Sequence, residues 1–543
     1  MKFSKLAQAY DRIGGARGDA GKIPILANLL KQSDTGTLEA LAHFTLGEVV
    51  DPTLTDDLGI GPGNIRNAIA RLAGKDPAEI EDEIKEMGDI GEVAAAHIDG
   101  ADSLTVAELW KRINRAVERG EDRQKLIESV FRTTGANGAK YFSRMVLNQM
   151  RIGVGHGTMA RAIASAFNVD ADSVQRLYAM SNDIGLAAVR ARRGQRALVR
   201  AGLELFRPYQ FMNAHKVDDP ADIFRMLGGK QVIFEVKYDG VRLQIHIRSK
   251  RPRQIKLFSR RLNDDTASMP DVVEALASAW KGGDAIVEGE AVAYDSSLKK
   301  KLPFQAVLMR RGRESEIEEK AREIPLVLFL FDLLYDDGKD LMNVPLKQRR
   351  ERLKDLFDTS PRVKMTDAIE SDEIEDEQKF FNRAIKQGHE GLVAKDPDAV
   401  YEPGKRTELW MKLKPAFETL DVVVVGGIWG SGRRRGLLSS LVIAVQDKAE
   451  FKTVGKVGTG FSEEMLRDLT ARLEPLIITS RGRNVEIEPK LVLEVDFQGI
   501  QKTPRYSSGY ALRIPRFKRE RIDKGIREAD TLDRLVRLYK QVP

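Results

Sequence analysis

Residues Gln231–Arg248 read QVIFEVKYDGVRLQIHIR, and this stretch decides the fold of the middle of the chain. Apolar residues recur at every second position on both sides of a Tyr-Asp-Gly sequence, a pattern that predicts two strands joined by a turn. Because successive side chains point to opposite faces of a strand, Glu235 and Lys237 share one face. The Asp239-Gly240 pair lets the chain reverse, so we expect Arg242 to return beside them.

Lys237 has two interpretations. In the first, a Lys and an Arg on an edge hairpin are merely solvated, since motifs as short as K-x-D-G recur by chance. In the second, Lys237 is a nucleophile. An amine with a reference pKa of ~10.4 is almost fully protonated at neutral pH, so a nucleophilic lysine needs cationic neighbours or desolvation to lower its pKa. The rest of the chain must supply these neighbours.

Length and composition limit the classes of protein to which the chain can belong. At ~150 residues per domain, 543 residues predict three or four domains. The 88 Lys and Arg against 81 Asp and Glu give a net charge of +7, which is compatible with a polyanionic partner. The absence of cysteine excludes disulfides, thiolate catalysis and cysteine-bound zinc. The N-terminus lacks a signal sequence and the longest apolar run, 326–334, contains Asp332, so we expect a soluble, cytoplasmic protein outside the membrane.

The sequence pattern changes twice along the chain. Residues 1–205 carry apolar residues at helical spacing and predict an all-α domain. Residues 206–415 alternate strand-like and helical segments and predict an α+β domain, in which the acidic run 370–377 is interpreted as the solvated start of a helix. Residues 416–543 contain short β segments and one helix, which fits a five-stranded oligonucleotide-binding (OB) barrel. The expected barrel strands are 419–426, 441–445, 451–457, 485–487 and 491–497.

Three further stretches have open interpretations. The sequence LGIGPGNI at 58–65 is either a tight turn between helices or a backbone site for a phosphate. The basic run RARRGQRALVR at 190–200 is either a solvated helix face or a contact to a phosphate backbone. Arg433–Arg435 is interpreted as a loop that touches DNA phosphates.

Polar residues occur in a fixed order inside otherwise apolar strands downstream of Lys237. Each of these residues, taken singly, is consistent with a purely structural role. The ordered set, however, is highly specific. The set consists of Ser259-Arg260-Arg261, Glu290 in EGE, Phe331 in FLFDLLY, Glu390 with Lys395 in EGLVAK, and Lys412 with Lys414 in WMKLK. Phe329 is an alternative to Phe331 as the aromatic residue of this set.

This ordered set, together with K-x-D-G-x-R at 237–242, resembles the motifs of the covalent nucleotidyltransferase superfamily, specifically the ATP-dependent DNA ligases with an N-terminal helical DNA-binding domain. The resemblance covers the whole chain, because RIGVG at 151–155, QKTPRYSSGYALR at 501–513 and FKRERIDK at 517–524 are similar to later parts of these ligases. It implies a helical DNA-binding domain, a central nucleotidyltransferase domain (ATP-grasp-like) and a C-terminal OB-fold.

The resemblance also implies the chemistry. Lys237 would attack the α-phosphorus of ATP, AMP would pass to a DNA 5′-phosphate, and a 3′-hydroxyl would displace it, sealing nicks in replication, repair and recombination. Phe331 would stack on adenine and Glu235 would help to read it, while Arg242 and Arg406 would contact the nucleotide. The remaining nucleotide-binding residues would be Arg260, Glu290, Lys412 and Lys414, which suit the neutralisation of phosphate charge.

Glu290 and Glu390 would hold Mg²⁺, which Mn²⁺ can replace, since hard cations prefer carboxylate oxygens. Alternatively, these carboxylates form ordinary ion pairs with Arg260 or Lys395. The residues that would orient pyrophosphate are Arg519, Arg521, Asp523 and Lys524. The expected partner is nicked double-stranded DNA, bound without sequence preference by a monomer associated with the nucleoid, and a sliding clamp is an expected further partner.

Other functions share parts of this pattern. RNA ligases and RNA capping guanylyltransferases carry the lysine motif, but they typically lack a helical domain of this length. NAD-dependent ligases carry a four-cysteine zinc finger, and this chain has no cysteine. An inert DNA-binding scaffold would have lost the lysine or the carboxylates, and both are present.

Overall fold

The computed structural model describes residues 1–52, 54, 58–199, 202–250, 252–313, 315–415, 419–430 and 434–541. It divides the chain into two compact units, Met1–Lys414 and Pro415–Pro543. Part of the Arg433–Arg435 loop and Arg200 of the basic run lie outside the described residues. No helix among the described residues is both long enough and apolar enough to cross a membrane.

The first unit begins with helices only, which confirms the all-α prediction for this part of the chain. Asp and Thr side chains begin several of these helices, as when Asp34 accepts the backbone N–H of Thr37 at 2.9 Å. One apolar cluster, from Phe3 to Leu198, packs the helices together. The helices are α1 (Phe3–Gly15), α2 (Gly18–Gln32), α3 (Thr35–Leu46), α4 (Pro62–Ala73), α5 (Pro77–Met87), α6 (Ile90–His97), α7 (Val106–Glu118), α8 (Arg123–Arg132), α9 (Ala136–Val146), α10 (His156–Phe167), α11 (Ala171–Ser181), α12 (Ile184–Arg192) and α13 (Gln195–Val199).

Two of the stretches with open interpretations lie in this helical part. The glycine-rich stretch leads into α4, where the side chain of Asn64 accepts the backbone N–H of Gly61 at 2.9 Å and so caps the helix start. In the basic run, Arg192 donates to the carbonyl of Leu30 at 3.2 Å and therefore faces inward. Arg196 is exposed.

The rest of the first unit mixes strands and helices, as the α+β prediction requires. Its elements are β1 (Asn213–Val217), α14 (Pro220–Met226), β2 (Val232–Lys237), β3 (Val241–Arg248), β4 (Gln254–Ser259), α15 (Pro270–Ala279), β5 (Ala285–Ala293), α16 (Phe304–Leu308), α17 (Ile317–Glu323), β6 (Leu326–Asp336), β7 (Lys339–Asp340), α18 (Leu346–Asp355), β8 (Val363–Met365), β9 (Ala368–Ser371), α19 (Ile374–Lys386), β10 (Gly391–Lys395) and β11 (Arg406–Leu413).

The two strands around the Tyr-Asp-Gly sequence form as predicted, but the prediction that they pair as a hairpin is wrong. Strand β2 belongs to a sheet with the order β1-β11-β10-β2-β9, and β3 belongs to a second sheet with the order β4-β3-β5-β6-β7, in which β8 pairs with β6. The Tyr-Asp-Gly sequence is therefore the crossing between two sheets. The physical reason is burial on both faces: Val232, Ile233, Phe234 and Glu235 are all buried, which an edge hairpin does not allow.

The two sheets pack face to face through shared apolar clusters. Ile233 and Trp410 of the first sheet belong to the same cluster as Ile286 and Phe331 of the second. A further cluster, which contains α15, covers the other face of the second sheet. Residues at the edge of the packed layer therefore face a cavity between the sheets.

The interpretation of the acidic run 370–377 as the solvated start of a helix is wrong in two respects: the run begins in a strand, and its last glutamate is buried. Glu370 lies in β9, where it pairs with Ile233 of β2. Glu377 lies on α19 and is fully buried. Glu370 and residues 372–376 are exposed as expected, whereas Ser371 and Glu377 are buried.

The second unit is rich in strands, as predicted. Backbone pairing joins β14-β13-β12-β17-β20, and the N–H of Phe517 in β20 donates to the carbonyl of Thr459, just after β14, at 2.9 Å, which closes the row of strands into a ring. The expected strand 485–487 lies outside this ring and Arg516–Glu520, not predicted as a strand, completes it. The elements are β12 (Thr419–Trp429), β13 (Leu438–Asp447), β14 (Glu450–Val457), α20 (Glu463–Leu473), β15 (Ile477–Arg481), β16 (Asn484–Ile487), β17 (Val492–Asp496), β18 (Ile500–Lys502), β19 (Tyr510–Leu512), β20 (Arg516–Glu520) and α21 (Leu532–Gln541).

Candidate active site

A cavity of about 410 Å³ lies between the two sheets of the first unit. All the candidate residues of this unit line it, although they come from five strands and three connecting segments. These residues are Glu235, Lys237, Arg242, Arg260, Glu290, Phe331, Glu390, Arg406, Lys412 and Lys414. The structure therefore brings together side chains that are up to 179 positions apart in the sequence, from Glu235 to Lys414.

Lys237 is the last residue of β2 and stands where the chain crosses between the sheets. The crossing needs a glycine, because a Cβ on Gly240 would lie 2.3 Å from the carbonyl oxygen of Ala291. The backbone N–H of Glu390 donates to the carbonyl of Lys237 at 3.0 Å. This bond fixes the Glu390 side chain beside the lysine.

Glu390 is shared between two lysines. Lys237 Nζ donates to one of its carboxylate oxygens and Lys414 Nζ to the other. Burial opposes ionisation of this carboxyl, but the two ammonium groups outweigh burial and lower the pKa of Glu390. The following Gly391 has φ +136°, and a Cβ there would lie 2.1 Å from the carbonyl oxygen of Leu413, so the close approach of β11 requires glycine at this position. Glu390 thus forms ion pairs, as the alternative expected, but its partners are Lys237 and Lys414 and not Arg260 or Lys395.

Glu290 faces the cavity from β5, directly opposite Arg242 of β3. It forms no ion pair with any side chain that the structure describes. Burial raises the pKa of Glu290 to about 7, against the opposing charges of Lys237 and Arg242. A half-buried carboxylate of this kind, next to Glu390, suits a divalent cation, which would supply the positive charge that stabilises the ionised form.

The wall of the cavity formed by β11, across from Glu290, is positively charged. Trp410 and Lys412 lie on one face of β11, as period-two spacing requires, and Lys414, just after the strand, lines the same cavity. Burial, followed by the charges of Arg406, Lys414, Lys237 and Arg260, lowers the pKa of Lys412. Cations crowded in this way make the cavity attractive to a polyanion.

The other end of the cavity is aromatic. Phe331 is the extra residue of a β-bulge, because Glu288 pairs with Asp332 and Gly289 with Leu330. The bulge separates it from Phe329, which stacks on Tyr238 at 3.9 Å between ring centroids and does not line the cavity. Phe331 and not Phe329 is therefore available to a ligand.

Glu235 lies beside this aromatic end and is buried. Lys395 Nζ lies 2.7 Å from one of its oxygens, and Arg350 donates to the other. Lys395 Nζ also lies 4.5 Å from the ring centroid of Phe331 and 4.2 Å from that of Trp410. The two cations hold the carboxylate in one orientation and leave part of its accepting capacity for a ligand.

Several residues at the site were not predicted from the sequence. Asn213, Phe304, Arg311 and Thr366 line the cavity, and Arg350 reaches Glu235 from α18. Arg350 lies in the run LKQRRERLKD, whose charge density is typical of a solvated helix, so the sequence carries no signal for its role. Asn213 and Phe304 begin β1 and α16, outside the motifs found in the sequence, so the sequence contains no signal for them either.

The last candidate group belongs to the second unit. Arg519 lies on β20 and pairs with Glu494 at 2.6 Å. Arg521 pairs with Asp421 at 2.7 Å and with Asp523 at 2.8 Å, and Lys524 donates to Asp421 at 2.5 Å. The four residues thus form a network around carboxylates of their own unit.

Comparison with known proteins gives a consistent result over the whole chain. Family models match as DNA ligase N terminus over residues 2–164, ATP dependent DNA ligase domain over 211–414, and ATP dependent DNA ligase C terminal region over 434–524. A DNA ligase of Thermococcus fumicolans is 39% identical over 554 residues, with 99% of this chain and 98% of the relative covered. DNA ligase 2 of Methanosarcina acetivorans is 38% identical over 568 residues, with the same coverage.

A solved structure named Pmar-Lig_PreS3 has a similar fold. Its TM-score is 0.61 at 18% identity, and the match covers 95% of this chain and 99% of the other. This likeness concerns the fold, and the family is shown by the family models and the full-length relatives. The chain therefore belongs to the ATP-dependent DNA ligases, enzymes that join DNA with ATP.

Proposed function

We propose that this ligase seals nicks between a 5′-phosphate and a 3′-hydroxyl in duplex DNA, with Lys237 as the nucleophile. The observation that carries the proposal is that Lys237 lines a cavity together with the cations Lys412 and Lys414, in and just after β11 of the same sheet, and with the aromatic ring of Phe331. Lys237 Nζ attacks the α-phosphorus of ATP, forming a P–N bond as the bond to pyrophosphate breaks. AMP then passes to the DNA 5′-phosphate, and the 3′-hydroxyl displaces AMP to form the phosphodiester.

The cationic residues of the cavity neutralise the negative charge of the phosphates in the first step. Phosphoryl transfer needs positioning and charge neutralisation more than covalent help from the protein. Arg260, Arg406, Lys412 and Lys414 face the space beside Lys237 and suit the phosphates of ATP. Glu390, which accepts hydrogen bonds from Lys237 and Lys414, orients the nucleophile.

Glu290 and Glu390 are the proposed ligands of a divalent cation. No group of three or more metal-binding side chains occurs in the part of the chain that the structure describes. The coordination would therefore be completed by water and phosphate oxygens, which is the habit of Mg²⁺ and which Mn²⁺ can follow. When bound, the cation would neutralise part of the negative charge of the phosphates.

The aromatic end would hold the base. Phe331 stacks on adenine, Glu235 accepts a hydrogen bond from the base, and Arg242 contacts the nucleotide between the base and the phosphates. In the second unit, Arg519, Arg521, Asp523 and Lys524 would orient pyrophosphate. Their ion pairs with Glu494 and Asp421 would have to open for this purpose.

Residues 1–205, 206–415 and 416–543 are proposed to act as three domains, the first of which holds duplex DNA. Its contacts are to phosphates, so binding is independent of sequence and weakens steeply with salt. Exposed Arg196 and its neighbours in the basic run are the proposed contacts. We further propose that the enzyme acts as a monomer at the nucleoid, outside the membrane, and that a sliding clamp recruits it.

The test uses α-labelled ATP with Mg²⁺ and a denaturing gel. Wild type and the control Lys230→Ala, an exposed lysine ahead of β2, should carry covalent label, and Lys237→Ala and Lys237→Arg should not. Labelled protein should lose its label and join the strands when a nicked DNA duplex is added. Label that persists in Lys237→Ala, or joining confined to RNA nicks, would contradict the proposal.

A further inference from the structure

The segment Leu203–Met212, which we call the strap, leads from the helical part of the first unit to β1. Side chains of β3 hold its backbone: Gln244 Oε1 accepts the N–H of Tyr209 at 3.1 Å, and His246 Nδ1 accepts the N–H of Phe206 at 3.0 Å. Burial lowers the pKa of His246 to about 3, so this ring stays neutral and its Nδ1 remains an acceptor. The strap is thus fixed to the second sheet by buried hydrogen bonds.

A buried carboxylate connects the strap with the cavity. Glu288 of β5 is fully buried, and one of its oxygens accepts the hydroxyls of Tyr209, at 2.8 Å, and of Tyr401. Its other oxygen accepts Arg242 Nε at 3.1 Å and Arg242 Nη2 at 2.5 Å. Burial raises the pKa of both phenols well above their usual value, so they remain donors. Both tyrosines are fully buried.

The strap also contacts Arg242 directly. Arg242 Nη1 donates to the carbonyl of Met212 at 2.8 Å, and the guanidinium carbon lies 4.6 Å from the ring centroid of Phe211. Tyr401 supports the same place, because its hydroxyl accepts the N–H of Met212 at 2.9 Å. All three nitrogens of Arg242 thereby donate a hydrogen bond, and the guanidinium lies at the cavity wall beside Phe331.

We propose that Tyr209 and Tyr401 are positioning residues for nucleotide binding, which act through Glu288 to hold the Arg242 guanidinium at the cavity wall. The proposal rests on the assignment of Arg242 to the nucleotide site made above. Its consequence is that the strap is part of the nucleotide site, although it touches no nucleotide itself. An arginine without such supports would lose rotamer freedom on binding, whereas here the ordering is already complete before ATP arrives.

The strap is in turn bonded to the helical part and to the loop before β11. The N–H of Gln210 donates to the carbonyl of Ala179 in α11 at 2.7 Å, and the carbonyl of Gln210 accepts the N–H of Gly404 at 3.0 Å. The position of Arg242 therefore depends on contacts that lie outside the two sheets. Removal of a tyrosine hydroxyl leaves a buried carboxylate oxygen with one donor fewer, and the carboxylate turns toward the donors that remain.

The experiment measures equilibrium binding of ATP in which a methylene group replaces the α,β-bridging oxygen, so that attack by Lys237 cannot expel pyrophosphate. Tyr209→Phe and Tyr401→Phe should each raise Kd about three- to tenfold, because an uncharged ring fills the same space without the hydrogen bond to the carboxylate. The matched control is Tyr141→Phe, a buried tyrosine of the helical part whose hydroxyl donates to Asp11 at 2.8 Å. It should shift Tm similarly and leave Kd unchanged.

A double-mutant cycle separates positioning from general destabilisation. In an Arg242→Lys background, the effect of Tyr401→Phe on Kd should fall below about twofold, since the group that it positions is gone. The proposal would be overturned if both tyrosine variants had an unchanged Kd, or if Tyr401→Phe had the same effect in both backgrounds. Provided that wild type binds the analogue, either outcome leaves the proposed nucleotide site in place. If wild type failed to bind the analogue, or Arg242→Lys bound it as wild type does, the assignment of Arg242 would fail and the proposal with it.

Discussion

Lys237 and Glu390 lie side by side because adjacent strands place them there: Lys237 ends β2, and Gly391, which follows Glu390, is its partner on β10. The same carboxylate holds Lys414 after β11, on the other side of β10. One sheet thus delivers a lysine, a carboxylate and a second lysine at neighbouring strand ends. The strands that carry these three residues are packed so closely at Gly391 that there is no room for a side chain, so their relative position tolerates little change.

The first prediction concerns Glu390→Gln. We expect formation of the lysine-linked AMP to fall at least ~100-fold, because the amide orients Lys237 poorly and is a weak ligand for a divalent cation. The lowered pKa of Glu390 means that its ion pairs stabilise the fold above its ordinary pKa and that this contribution is lost as pH falls through the folded value. The loss in Tm should therefore be larger at pH 7 than at pH 4. Thermal melts at both pH values and gel labelling check this, and full labelling of the variant would contradict it.

The second prediction concerns Lys412→Met. The pKa of Lys412 is lowered by burial and by its cationic neighbours, so the charged form of this lysine is destabilised in the folded state at every pH below its ordinary pKa. Replacement with an uncharged side chain of similar length should raise Tm at pH 7 and weaken binding of the ATP analogue by about tenfold. The control is Lys405→Met, an exposed lysine paired with Glu402, which should change neither. A variant with lower Tm and unchanged binding would contradict the argument.

The third prediction follows from Glu377. Its side chain is fully buried, and both of its oxygens have no hydrogen-bond partner among the described residues. Burial raises the pKa of Glu377 to about 7, so ionisation costs stability as pH rises from the ordinary value through the folded one. Glu377→Leu should raise the free energy of unfolding by roughly 3 kcal/mol at pH 8 and by much less at pH 5.

Chemical unfolding at these two pH values measures the effect of Glu377→Leu. The control is Glu375→Leu on the same helix, where the glutamate is exposed and should make no such difference. If the gain in stability of Glu377→Leu were the same at pH 5 and pH 8, the carboxyl would not titrate in this range and the argument would be wrong.

The sequence predicts strands and helices here better than it predicts which strands pair. The alternation in β2 and β3 is local, and it is preserved whether the chain turns back or crosses to another sheet. Glu235 shows what was missing: in a hairpin its face would be solvated, whereas here Lys395 and Arg350 enclose it. Cavity residues with an ordered motif were found from the sequence, but Arg350 was not, because its partner lies 115 positions away.

The last prediction separates Phe331 from Phe329. The two side chains are equally plausible in sequence, but the bulge turns only Phe331 into the cavity and leaves Phe329 stacked on Tyr238. Stacking on a base is worth ~1–3 kcal/mol, so Phe331→Leu should raise Kd for the ATP analogue roughly 10- to 100-fold. Phe329→Leu, which also loses a buried ring, should lower Tm at least as much and leave Kd nearly unchanged. Isothermal titration with thermal melts of both variants distinguishes the two residues, and the opposite pattern would show that the base stacks on Phe329.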